Sequence, residues 1–223
     1  AVAREIRKRD LGDVIVLEKE PYAGAHASSR NSGVIHSGIN QNPRTKKVKA
    51  QLCVRGSAML RGYCKDRGVP YEECGTLVIA RNESERATLE TLSNWGYELG
   101  VPGLRIIPKE ELREREPSVT DNAYSALFSP TGAIVNSGKL VETIAKEAQS
   151  LGASYDLNVK VRGIDGRHVV TDVRDYHAGH IINCAGLYAD KIAHMMGVRE
   201  DLKVIPFRGE YHQVRDLRVN SMI

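Results

Sequence analysis

Long apolar runs are missing from this chain of 223 residues, in which no window approaches the roughly 18 consecutive apolar residues that a membrane helix needs. Low-complexity tracts are missing too, so 41% apolar and 27% charged residues describe a globular chain. There is no run of Lys and Arg interleaved with aromatics. With 32 basic against 28 acidic residues, the net charge of +4 is a mild excess, and nucleic acid is not the expected partner. The four cysteines, Cys53, Cys64, Cys74 and Cys184, form no C-x-x-C pair and have no neighbouring His spacing that would build a zinc site. No metal is expected, and the cysteines read as small buried hydrophobes in a reducing, cytoplasmic compartment. No signal peptide stands at the start and no internal repeat is visible. Instead the chain opens on Ala1 without Met, and residues 1–9 read as the later turns of an uncapped helix, from which a piece of a longer chain is expected.

What is present fits one or two domains at about 150 residues each. After the opening helix, Val14–Leu17 is a short apolar, β-branched run of the kind that forms a buried parallel strand. It closes on Glu18-Lys19-Glu20. An acidic residue at the carboxyl end of such a strand can accept hydrogen bonds from an adenosine ribose; as a plain loop carboxylate it would only face water. Residues 21–45 are rich in Gly, Ser, Asn and Pro, and they include the stretch Ala27-Ser28-Ser29-Arg30-Asn31-Ser32-Gly33. Small hydroxyl residues beside Gly suit either close approach to a phosphate or an ordinary surface loop.

Apolar residues at Val48, Leu52, Cys53, Met59, Leu60, Tyr63 and Cys64 predict one helix over 46–67 with that stripe facing inward. Lys46, Lys47 and Lys49 read as its solvated face. A strand follows at 75–80, a polar helix at about 84–99, a short helix between Pro108 and Pro117, and a strand at 125–129. Asn136 or Ser137 can cap a helix that Gly152 stops. Further strand signals lie at 153–155, 159–164, 169–171 and 180–183. The last runs into Cys184-Ala185-Gly186, a strand-to-glycine-to-helix pattern that aims backbone amides above a sheet. Residues 204–214 read as an extended, alternating segment.

Taken in order, Val16-Leu17-Glu18-Lys19, Asn31-Ser32-Gly33-Val34-Ile35-His36-Ser37-Gly38-Ile39, Lys49–Cys53, Thr131-Gly132 with Ile134-Val135, Cys184–Asp190 and Pro206-Phe207-Arg208-Gly209-Glu210-Tyr211 resemble FAD-dependent oxidoreductases of the D-amino-acid oxidase group. Within that group the motifs are most similar to L-2-hydroxyglutarate dehydrogenases and oxidases, and more loosely to anaerobic glycerol-3-phosphate dehydrogenases. The resemblance implies an α/β (overall α+β) protein: an incomplete Rossmann-like FAD-binding domain with a substrate domain built on a mixed or antiparallel sheet. The flavin domain would take residues 1–70 and 136–202, and the substrate domain 71–135 and 203–223.

Carried over residue by residue, the resemblance puts Glu18 and Lys19 at the adenosine and Ser29, Arg30, Asn31, Ser32 and Gly33 along the pyrophosphate and flavin. It puts Val159 at the adenine through its backbone, and Ala185 and Gly186 facing the cofactor. The implied activity is oxidation of a 2-hydroxy acid, L-2-hydroxyglutarate first, with His36 as base, Arg208 as carboxylate clamp and Tyr211 adding a hydroxyl. His36 is also open to a structural role, hydrogen-bonded in the flavin loop, and Arg208 to pairing with Glu210 or another carboxylate of its own domain. Oxygen or a quinone is the implied acceptor; a quinone would bring a peripheral membrane contact through the missing half, at the inner face. Departures from the family pattern are the lack of an opening strand with its G-x-G-x-x-G turn, the stop at Ile223, and Asn40-Gln41 where the family has tyrosines. A chain without that turn is expected to hold FAD weakly or not at all, the alternative being a non-catalytic fragment that cannot hold FAD alone, with residues 14–17 left as an open strand edge.

Overall fold

Local signals build the elements in chain order. The computed structural model describes residues 1–210 and Asn220. Helix α1 (Val2–Lys8) leads into strand β1 (Ile15–Glu18), and after the Gly/Ser-rich loop come β2 (Val34–Ile35), α2 (Lys47–Arg67), β3 (Tyr71–Glu72) and β4 (Thr76–Ala80). Next are α3 (Glu83–Glu98), β5 (Arg105–Pro108), α4 (Lys109–Arg115), β6 (Ser125–Ser129), β7 (Ala133–Val135) and α5 (Ser137–Ser150). The chain continues through β8 (Ser154–Leu157), β9 (Val161–Asp165), β10 (His168–Thr171), β11 (Tyr176–His177), a 3-10 turn at Gly186–Tyr188 and α6 (Ala189–Met195). Caps set several of these ends. The Asn82 side chain accepts from the Glu85 N–H at 3.0 Å to start α3, and the Asn136 side chain accepts from the Lys139 N–H at 2.9 Å to start α5. Gly68, in the left-handed region at φ +64°, closes α2.

The described residues divide into two compact units, with sequence boundaries between Arg30 and Asn31 and between Leu140 and Val141. In the first unit β1 and β8 form a parallel pair with Ile15 opposite Ser154 and Glu18 opposite Leu157, and β9, β10 and β11 form an antiparallel sheet in the order β11-β10-β9. Helix α1 is tied to α5 by charge: Arg4 Nε lies 2.8 Å from Glu147 Oε2, and Arg7 Nε donates to the Leu151 carbonyl at 3.0 Å. The other edge of β1 has no partner strand among the described residues, so the expected open edge is present. The strand expected at 180–183 is not formed: these residues take no regular structure, because no neighbouring strand among those described supplies a ladder for their backbone groups.

In the second unit the antiparallel sheet β4-β6-β5 carries the core on both faces. Leu77, Ile107, Ala126 and Phe128 point to one side, where they meet Leu112 of α4, Val119 and Ala123. Ala80 and Leu127 point to the other, against Leu89 of α3, Ile39, Val101 and Leu104. A second small sheet has the order β2-β7-β3, with Val34 opposite Ile134 and Tyr71 opposite Val135. Helix α2 departs from its expected orientation. Val48, Leu52 and Met59 are 61–68% exposed, while Ala50, Ser57 and Cys64 are buried and Val54 packs against the Ile39 core. The apolar residues of α2 lie on two sides, and the smaller ones permit the close approach, so the inward stripe is 50, 54, 57, 61 and 64. No helix among the described residues is long and apolar enough to cross a membrane.

Candidate functional site

At the carboxyl end of β1 the Glu18 carboxylate is half-buried and held by one oxygen, which accepts the Glu20 N–H at 3.0 Å; its second oxygen has no partner among the described residues. The Glu18 carbonyl accepts the Val159 N–H at 2.9 Å, extending the β1–β8 ladder by one step. Val159 is 6% exposed and its N–H is already donated.

Lys19 ion-pairs with Glu20, which lifts the lysine's pKa above its ordinary value and, together with His26, lowers that of the Glu20 carboxyl. His26 Nε2 lies 2.8 Å from Glu20 Oε1 and 2.9 Å from Lys19 Nζ. One ring nitrogen serves one of these at a time, donating to Glu20 as N–H or accepting from Lys19 when bare. Tyr188 completes the cluster, with its ring 4.8 Å from Lys19 Nζ, 5.4 Å from Lys191 Nζ and edge-on to His26 at 6.1 Å. Glu20, His26 and Tyr188 were not singled out from the sequence, and only the place of Tyr188 within a family motif pointed toward one of them.

The loop expected to cradle phosphate has three of its amides engaged. The N–H groups of Ser29 and Arg30 both donate to the His26 carbonyl at 3.1 Å, and the Gly33 N–H donates to Asn31 Oδ1 at 2.8 Å. Arg30 is exposed, and its guanidinium has no partner among the described residues; Ser29 is half-buried and Ser32 exposed. Gly33 has a reason to be glycine inside the protein: its φ is +69°, and a Cβ there would stand 2.5 Å from the Val135 carbonyl oxygen. Ala185 and Gly186 open the 3-10 turn, where the Ala185 N–H donates to Asn183 Oδ1 at 3.1 Å and Gly186, at φ +56°, is exposed with nothing within 4 Å of a Cβ.

His36 follows β2. Its ring is exposed and has no partner among the described residues, while its carbonyl accepts weakly from Cys53 Sγ at 3.7 Å. Arg208 is exposed and makes no ion pair with Glu210 or with any other described carboxylate. Tyr211 lies outside the described residues. Residues 36–41 and Thr76 line a cavity of ≈50 Å³ within the second unit. Of these only His36 was assigned a role from the sequence.

The sequence matches a known family, whose description is FAD dependent oxidoreductase, over residues 1–221. The chain belongs to the DAO family. It is 35% identical over 212 residues to the mitochondrial L-2-hydroxyglutarate dehydrogenase of Homo sapiens, covering 88% of this chain and 45% of that protein. A glycerol 3-phosphate dehydrogenase of Caloramator mitchellensis is 34% identical, over 100% of this chain and 46% of its own. Among solved structures, the L-alpha-glycerophosphate oxidase of Mycoplasma pneumoniae with FAD bound superimposes with a TM-score of 0.76 at 26% identity, over 86% of this chain and 53% of that one. The chain thus spans about half the length of the relatives it matches.

The residues of this DAO chain suit the family's cofactor unevenly. An oriented carboxylate at Glu18, a cation at Lys19 and a carbonyl at Val159 are groups that would suit the ribose and purine of an adenosine. Along the phosphates the amides of Ser29, Arg30 and Gly33 are already bonded, and the Arg30 guanidinium is the charged donor of the loop.

Proposed function

We propose that this chain is part of an FAD-dependent enzyme that oxidises a 2-hydroxy acid, with L-2-hydroxyglutarate converted to 2-oxoglutarate. The observation that carries the reading is its 35% identity over 212 residues to a protein named L-2-hydroxyglutarate dehydrogenase. Residues 1–70 and 136–202 then serve the flavin, and residues 71–135 and 203–223 the substrate.

Glu18 accepts the ribose hydroxyls, Lys19 supplies positive charge beside it, and the Val159 carbonyl meets the adenine. Ser29, Arg30, Asn31, Ser32 and Gly33 follow the pyrophosphate toward the flavin, with Arg30 providing the charge, and Ala185 and Gly186 face the ring with nothing larger than a methyl group. Bound FAD supplies at flavin N5 an acceptor for the hydride from C2 of the substrate. His36 takes the proton of the C2 hydroxyl, so that the C–H and O–H bonds are replaced by a C=O bond and two electrons leave with the hydride. An exposed, unpartnered imidazole is free to take that proton on binding. Arg208 holds a carboxylate through a bidentate pair, and Tyr211 adds a hydroxyl.

The test is anaerobic. The chain is mixed with FAD and then with L-2-hydroxyglutarate, and bleaching of the visible flavin band is followed; His36→Gln is expected to slow it by about 100-fold or more. Failure of every 2-hydroxy acid while glycerol 3-phosphate bleaches the flavin would replace this reading by the second one, which the match to the Caloramator protein over 100% of the chain favours.

A further inference from the structure

His26, which no step of the proposed reaction uses, is tied at both ends within the first unit. Its carbonyl accepts the N–H groups of Ser29 and Arg30, both at 3.1 Å, and so fixes the turn that carries the Arg30 guanidinium. Its ring reaches back to the residues that follow β1, with Nε2 2.8 Å from Glu20 Oε1 and 2.9 Å from Lys19 Nζ. The backbone behind the ring has little room to move. Gly24, at φ +84°, sits where a Cβ would stand 2.7 Å from Val141 Cγ1 and 3.0 Å from Ser29 Oγ, and Ala25 is 7% exposed.

One ring nitrogen therefore faces a cation and an anion at hydrogen-bond distance, and in any one protonation state it satisfies only one of them. Bare, it accepts from the Lys19 ammonium. In the protonated ring it donates to Glu20 and turns an N–H toward Lys19, which loses this acceptor and meets a like charge. The other groups around the ring are Tyr188 of the 3-10 turn, edge-on at 6.1 Å, and Lys191 of α6, whose Nζ lies 5.4 Å from the Tyr188 ring. Glu18 is joined to Glu20 through the Glu20 N–H. Lys19 and Lys191 balance Glu18 and Glu20 while the imidazole is neutral, so a protonated His26 leaves the end of β1 with one net positive charge.

We propose that His26 is a positioning residue whose protonation state sets where the Lys19 ammonium points and what charge the end of β1 offers to a ligand. The consequence for binding rests on the cofactor reading given above. With a ribose at Glu18, a Lys19 released from His26 is one more charged donor for an adenine nucleotide, and the nucleotide binds more tightly when the imidazole is protonated.

The experiment uses the full chain, isotope-labelled, without flavin. Between about pH 8 and about pH 5, the range over which imidazoles change charge, signals of the Lys19 side chain and of the Ser29 and Arg30 amides are expected to shift with the midpoint of the His26 ring. ADP-ribose, whose pyrophosphate diester keeps its charge over that range, is expected to bind about threefold more tightly at the acid end, the effect of one screened unit charge. His26→Gln supplies a donor and an acceptor and does not titrate, so it is expected to bind ADP-ribose within about twofold of the parent at the alkaline end and to lose the pH dependence. His26→Leu removes both bonds and is expected to weaken ADP-ribose about tenfold at every pH. The parent's pH dependence surviving in His26→Gln, or Lys19 and Ser29 signals that do not follow the His26 ring, would overturn the proposal. Coupled shifts without any binding of ADP-ribose would leave His26 as the residue that positions Lys19 and would remove the cofactor reading instead.

Discussion

Replacing Gly33 by alanine separates two explanations of one residue. If Gly33 is glycine because a phosphate must approach its backbone, Gly33→Ala weakens flavin binding and leaves the fold alone. The structure supports the opposite outcome. A non-glycine residue in the left-handed region costs about 1–2 kcal/mol. The new Cβ would lie 2.5 Å from the Val135 carbonyl oxygen, a backbone atom that cannot swing aside as a side chain would. Moving it stretches the bond from the Val135 N–H to the Gly33 carbonyl, 2.8 Å long, and disturbs the pairs Val34–Ile134 and Ile35–Ala133 next to it. One hydrogen bond lost adds about 1 kcal/mol, so the total is about 2–4 kcal/mol. Urea unfolding followed by circular dichroism reads this directly, with exposed Ser32→Ala as a control expected to stay within about 0.5 kcal/mol of the parent. A Gly33→Ala chain as stable as that control would refute the packing explanation of this glycine.

Two further outcomes test other parts of the molecule. Arg105, and after it Arg115, hold the Glu111 carboxyl down at about 2, below its ordinary value of 4.5. A carboxylate depressed on folding adds stability that is fully present above about 4.5 and is lost as the pH falls toward 2; a Glu111 carboxyl resonance titrating near 4.5 in the folded chain would contradict the pairing. Cys184 is exposed, whereas Cys64 is buried and its thiol is pushed up by that burial. A thiol reagent at neutral pH should therefore label Cys184 first and reach Cys64 only on unfolding, and early labelling of Cys64, read by mass spectrometry, would show that α2 is placed differently.

Legibility followed the range of the signal. Helix α5 was readable because Asn136 caps it and its apolar spacing is local, and β6 because Ser125–Ser129 is a short apolar run ended by the Pro130-Thr131-Gly132 turn. Helix α2 was readable as a helix but its buried face was not. Val48, Leu52 and Met59 are the larger residues, yet Ala50, Ser57 and Cys64 are the ones small enough for close packing. Residues 180–183 carry strand propensity and form no strand, since propensity does not supply a partner. At the candidate site, Glu18 was legible as the acidic end of an apolar strand. The cluster of Lys19, Glu20, His26 and Tyr188 was not, because it draws together residues up to 169 positions apart with no shared periodicity.

The sequence by itself determined the order of elements, their caps and, through six motifs in series, membership of the DAO family, because each of these depends on neighbouring residues or on their order along the chain. The tertiary structure decided which amides are already spent within the loop at Ser29, Arg30 and Gly33, which hydroxyls are left unpaired beside the cavity at Ser37, and which face of α2 is turned inward. A donor's partner and a side chain's burial are set by residues remote in sequence, and only folding brings those residues into reach.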